Sequence, residues 1–180
     1  MRGPRAAALL LALPGAAPAH PVDEVVQAAY LTVAPGEVRL ELDLTPGTEV
    51  APLLLPLLDP DGSGAASDAE ARAYAQGVLA VSTLLLDGAP AAWSLVAVEV
   101  PDLGLVAQGA GVVRIDAAAP RPDREGGSIL SYENLYEPAP SLWMANVFLR
   151  PGEGWTYKVT GQERDARGQA LAVSYEATPE

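Results

Sequence analysis

The chain contains no cysteine and a single histidine, His20, in its 180 residues. Without thiols there can be no disulfide, no thiolate nucleophile, no zinc–thiolate site and no iron–sulfur cluster. With one histidine near a terminus, a Ser-His-Asp arrangement lacks its base. His-Glu-x-x-His, phosphate-loop and dinucleotide fingerprints are also missing. These absences argue against an enzyme. A two-carboxylate glycosidase is the one route the composition leaves, with Trp93, Trp143, Trp155 and Tyr136 as a sugar platform. On sandwich strands such aromatics more often fill the core.

Basic residues are scarce as well. Eleven Lys and Arg face 23 Asp and Glu, a formal charge of −12. Nucleic acid and anionic membranes both need clustered Lys or Arg to displace counterions, so neither is an expected partner. Such a chain attracts cations instead. Long apolar runs are missing too. The longest, Ala6 to Leu13, falls far short of the roughly 20 residues that span a bilayer. It follows Arg2 and Arg5 and precedes Ala17-Pro18-Ala19. A basic start, a short apolar run and a small-residue cleavage site make a secretory signal peptide. The expectation is therefore an exported protein, periplasmic or extracellular, with residues 1–19 removed. The mature chain from His20 to Glu180 is the size of one domain. Without Arg2 and Arg5 its formal charge falls to −14.

What the mature chain has in quantity is short alternating segments. Val25 to Val33 and Glu37 to Thr45 flank Ala34-Pro35-Gly36, as in a hairpin. Val38, Leu40, Leu42 and Leu44 alternate with Arg39, Glu41 and Asp43, giving one buried and one wet face. Leu84 to Leu86 and Ala91 to Val100 flank the turn dipeptide Asp87-Gly88. Val112 to Ala117, Ile129 to Tyr136, Ala145 to Leu149, Thr156 to Thr160 and Ala170 to Glu176 complete about nine strands. The expected fold is mainly β: an antiparallel β-sandwich with a short helical insertion, residues 48–80, between early strands. Ser67-Asp68-Ala69-Glu70 is a capping box that opens the one convincing helix, ending near Leu79. Ala71, Tyr74, Ala75 and Val78 share a face of it.

The insertion also carries the chemistry. Asp59 to Glu70 resembles an EF-hand calcium loop, which takes oxygen ligands from positions 1, 3, 5, 7, 9 and 12 and has glycine at 6. The matching residues are Asp59, Asp61, Ser63, Ala65, Ser67 and Glu70, with Gly64 at the turn. Position 7 binds through its carbonyl, so Ala65 suffices. Calcium is a hard cation that wants about seven oxygens at about 2.4 Å. The resemblance implies that Asp59, Asp61 and Ser63 converge from the loop while Glu70 gives two oxygens from the helix. Four features depart from the family pattern: Ser63 in place of the commoner Asp or Asn, Ala66 at position 8, Ala71 after position 12, and an entering segment interrupted by Pro52 and Pro56. The capping box alone also accounts for Ser67 and Glu70, but not for Asp59, Asp61 and Gly64 ahead of it. One loop with three carboxylates fits the 10⁻⁴–10⁻³ M class of extracellular sites, on the order of magnitude. The ion would be structural.

Two further readings concern partners. Cleavage after Ala19 would put the α-amine and imidazole of His20 together, a chelate for a transition metal such as copper or nickel. A leader ending in Ala-His-Pro is followed by Ala29-Tyr30-Leu31, Leu42-Asp43-Leu44-Thr45-Pro46-Gly47, Leu57-Leu58-Asp59-Pro60-Asp61-Gly62, Tyr132-Glu133-Asn134 and Ala145-Asn146. This layout resembles the extracytoplasmic β-rich domain of HupE/UreJ-like and nickel/cobalt-transporter-like bacterial proteins. The resemblance implies a membrane transporter or another cell-surface protein as partner. The metal residues of that group lie in its apolar helices and are not carried over. A carbohydrate- or protein-binding module is the remaining alternative.

Overall fold

The computed structural model describes residues 22–180; the leader and His20 lie outside them. Ten strands and three helices follow in the order β1 (Val25–Ala34), β2 (Glu37–Pro46), α1 (Ala51–Leu58), α2 (Asp68–Ala80), β3 (Ser82–Leu86), β4 (Ala89–Ala91), β5 (Ser94–Glu99), α3 (Leu103–Ala107), β6 (Val113–Pro120), β7 (Gly126–Asn134), β8 (Ser141–Leu149), β9 (Trp155–Arg164) and β10 (Ala170–Pro179). One sheet has the order β5-β6-β2-β1-β8 and the other β4-β3-β7-β10-β9. Both are mainly antiparallel, and the fold is the expected β-sandwich.

Alternation decides which faces meet. Val38, Leu40, Leu42 and Leu44 of β2 are buried, as are Val113, Ile115, Ala117 and Ala119 of β6. From the second sheet Leu84, Leu130, Tyr132, Leu171, Val173 and Tyr175 pack into the same core. The helical insertion lies between β2 and β3. Its α2 buries Ala71, Tyr74, Ala75, Val78 and Leu79, so the face expected from helical spacing is the face that packs.

Three features differ from the sequence reading. The expected strand Ala91 to Val100 is two strands on different sheets. The β3–β4 hairpin turns at Asp87 and Gly88, both at positive φ (52° and 81°). The chain then crosses at Ala92-Trp93 to the first sheet as β5. A five-residue helix, α3, also stands where no element was expected, started by Asp102, whose carboxylate accepts from the Gly104 N–H at 2.8 Å. Finally, β8 runs parallel to β1, with Val25 beside Ser141 and Val33 beside Leu149. The cause is the crossing that precedes it. β7 ends at Asn134, and residues 135–140 carry the chain back to the first sheet. There the Val25 N–H donates to Pro140 O at 2.8 Å, so β8 starts where β1 starts.

The two sheets are joined in the interior by a polar network. Gln27 of β1 and Asn134 of β7 are both essentially buried. Asn134 Nδ2 donates to Gln27 Oε1 at 2.9 Å. Gln27 Nε2 donates to Tyr136 O and Ser141 Oγ, and Asn134 Oδ1 accepts from the Tyr136 N–H. Ser82 Oγ, just past α2, lies 3.0 Å from Val78 O and 3.3 Å from Asn134 Oδ1. A second link stands at the far end of β1, where Arg121 bonds Ala34 O, Asp123 and the Tyr157 hydroxyl of β9.

Removing one amide strands its buried partners, which costs more than the lost bonds themselves. Asn134→Ala should therefore lower the unfolding free energy by about 2–3 kcal/mol. Exposed Thr178→Ala should change it by less than about 0.5 kcal/mol. Urea unfolding of both variants measures the difference.

Candidate metal site

α1 delivers the first residue of the loop. Pro52 lies at its first turn, where a missing N–H costs nothing, and Pro56 lies inside it. The helix is nevertheless only eight residues, about two turns. It ends at Asp59, whose N–H donates to Leu55 O at 3.0 Å. The buried residues Ala51, Leu54 and Leu58 fix this short helix against the body of the domain.

The Asp59 side chain then organises the turn. Its Oδ1 accepts from the Ser63 N–H at 3.0 Å and its Oδ2 from the Gly64 N–H at 2.9 Å. Asp61 Oδ1 accepts from the same Ser63 N–H at 2.9 Å. Gly64 stands at φ 90°, a conformation open to glycine and strained for side chains. Ser63 Oγ lies 3.3 Å from Asp59 Oδ1 and 3.0 Å from Ala65 O, which brings the position-7 carbonyl to the same side as the carboxylates.

α2 delivers the last residue. The capping box is present as expected, with Ser67 Oγ accepting from the Glu70 N–H. Glu70 Oε2 accepts from the Ser67 N–H at 2.8 Å and the Ser67 hydroxyl at 2.7 Å. Glu70 Oε1 faces the Asp61 N–H at 3.4 Å, which closes the loop onto the helix. Oxygens of Asp59, Asp61 and Glu70 all lie within 4.8 Å of one another. Two oxygens bound to one ion at about 2.4 Å are at most twice that apart, so this spacing is within the reach of one shared cation. Each carboxylate oxygen has two lone pairs, and the N–H bonds leave others available.

Of the six positions expected from sequence, Asp59, Asp61 and Glu70 bring carboxylate oxygens together, and the Ser63 hydroxyl lies between Asp59 and the Ala65 carbonyl. Ser67 joins only through Glu70, since its hydroxyl is engaged in the cap. His20 lies outside the described residues. The backbone N–H groups of Ser63 and Gly64, which fix Asp59, were not foreseen; the glycine at position 6 was their signal. No protein-family model matches the chain, and no curated protein matches it significantly.

Both ends of the loop are acid-sensitive. The Gly64 N–H, with those of its neighbours, holds the Asp59 carboxyl below its ordinary 3.8. The Ser67 hydroxyl and N–H hold Glu70 below its ordinary 4.5. A lowered pKa stabilises the fold above the ordinary value, and that gain is lost as pH falls through the folded value. Amide exchange at Ser63, Gly64 and Ser67 should therefore be unchanged from pH 7 down to about 5, after correction for intrinsic rates, and should accelerate below about 4. In Asp59→Asn the Ser63 and Gly64 amides should lose most of that dependence.

Proposed function

We propose that this is an exported calcium-binding β-sandwich protein in which one EF-hand-like loop holds a structural ion. The observation that carries this reading is the mutual approach of Asp59, Asp61 and Glu70 across a turn already closed by hydrogen bonds. Three like charges so close repel one another, and a divalent cation removes that repulsion. Because Asp59 ends α1 and Glu70 begins α2, an ion between them would tie the two helices together. Export rests on the leader of the sequence.

The ion would bind the native state only and stabilise it by mass action. At ten times the dissociation constant, calcium should raise the melting temperature by about 3–6 °C. Magnesium should do much less, because it holds its water and demands octahedral geometry. Asp59→Ala and Glu70→Ala should both abolish calcium binding in calorimetry. They should differ without calcium: Glu70→Ala loses the cap of α2 as well, whereas Asp59→Ala disturbs only the turn. A wild-type protein whose melting is indifferent to millimolar calcium would falsify the reading.

A further inference from the structure

Two aspartates of the chain are followed directly by glycine, Asp61-Gly62 in the loop and Asp87-Gly88 in the β3–β4 turn. The pairing has a chemistry of its own. Glycine has no side chain to shield its backbone nitrogen, so that nitrogen can reach the carboxyl carbon of the aspartate before it. Attack closes a five-membered imide. An N–C bond forms to the aspartate Cγ, and one carboxyl oxygen leaves as water, taking the amide proton and one proton from solvent. Water then adds at either carbonyl and breaks its C–N bond. One opening restores aspartate; the other leaves isoaspartate, in which the main chain runs through the β-carbon. The only reagent is water, lost in the first step and regained in the second. Asparagine offers no competing site, since Asn134 and Asn146 precede Leu135 and Val147. Asp59 is exempt because Pro60 has no N–H to give up.

The structure separates the two candidates. Both dipeptides are exposed, and their glycines stand at φ 70° and 81°. The Asp87 carboxylate is clamped. One oxygen accepts from the Ile129 N–H at 2.8 Å and the other lies 3.0 Å from Arg124. Both contacts must break before its Cγ can turn to the Gly88 nitrogen, so Asp87 is protected through its carboxyl. The Asp61 carboxylate has no arginine or lysine on it among the described residues. Its Oδ1 accepts from the Ser63 N–H at 2.9 Å, a donor it shares with Asp59. That bond reaches across the Gly62 peptide, so the carboxyl stays beside the nitrogen that attacks it. The Gly62 N–H is engaged by Asp59 O at 3.3 Å, beyond the usual length of such a bond.

We propose that Asp61 is the chain's site of isoaspartate formation and that calcium in the loop protects it. The protection rests on the calcium reading: an ion that takes the Asp61 carboxylate as a ligand holds it away from the Gly62 nitrogen. Isoaspartate adds one carbon to the main chain between residues 61 and 62 and displaces the carboxylate from position 3. A modified loop no longer matches the ligand spacing that calcium needs. A loop left without its ion is thereby lost to later binding, while an occupied loop persists.

The test is prolonged incubation of the folded protein in warm neutral buffer, with calcium or with a chelator. Peptide mapping by electron-transfer fragmentation then distinguishes isoaspartate from aspartate at each site. With chelator, isoaspartate should accumulate at Asp61 at least about fivefold faster than at Asp87. Arg124 is exposed, so Arg124→Ala leaves the fold in place while it opens the clamp. It should raise the rate at Asp87 about threefold or more and leave Asp61 unchanged. Saturating calcium should slow Asp61 about tenfold and leave Asp87 unchanged. A product that appears first or equally at Asp87, or none at Asp61, would overturn the site. Equal rates at Asp61 with calcium and with chelator would overturn the protection. Calorimetry on the same sample separates the causes: binding heat without protection means that Asp61 is not a ligand, and no heat means that the calcium reading itself fails.

Discussion

Gln27 and Asn134 bond to each other in an interior where neither is exposed, and the buried contacts of Ser82 and of the Tyr136 backbone pass through one of them. A buried amide without a partner is costly, so the pair fixes the relative position of the two sheets more narrowly than apolar packing does. It also fixes the crossing segment, because Tyr136 offers its carbonyl to Gln27 and its N–H to Asn134. That crossing in turn sets β8 beside β1. In a chain without disulfides, this network, the Arg121 link near the end of β1 and the bonds from Arg164 of β9 to Ala145 and Asn146 of β8 tie the two sheets together.

The insertion inherits its position from the same network. Ser82 reaches both Val78 O and Asn134 Oδ1, so the C-terminal end of α2 is attached to the sandwich through a buried hydroxyl. The N-terminal end has no such attachment. It depends on an exposed loop of hydrogen bonds between Asp59, Asp61, Ser63 and Glu70, where water competes for every group. α2 is therefore packed along one face and bonded into the interior at its C-terminal end, while its first turn is tied to the preceding loop by exposed hydrogen bonds alone. The proposed ion would act at that first turn, where an added constraint changes most.

The sequence spoke clearly where a local rule decides the outcome. Alternation in Val38 to Leu44 is enough to bury one face, and Ser67 with Glu70 is enough to start a helix. The turn of the loop was readable too, because the glycine at its sixth position, Gly64, stands at the positive φ that a tight loop needs. Where a distant partner decides, local pattern was silent. Nothing in Ala91 to Val100 says that the chain changes sheets at Trp93. Nothing in Ala145 to Leu149 says that its neighbour is β1, more than a hundred residues earlier. α3 was missed for another reason: five residues with Gly104 among them give no periodicity, and only Asp102 marks the start. Arg121 lay in a segment of Pro, Gly and charge that reads as a solvated loop. Its burial comes from Tyr157 and Ala34, which approach only in the fold.

Calcium would meet its exposed loop in a field that already attracts it, since the chain carries a formal charge of −12. Salt screens exposed charges within about 8 Å at physiological ionic strength, so added salt should weaken calcium binding. The Arg121 link answers differently. Its guanidinium is only 4% exposed and already carries Asp123, Ala34 O and the Tyr157 hydroxyl as partners. Screening acts weakly on a charge shielded from solvent, so the link between the sheets should persist at salt concentrations that loosen the ion. Salt therefore separates the stability of the loop from that of the sandwich beneath it.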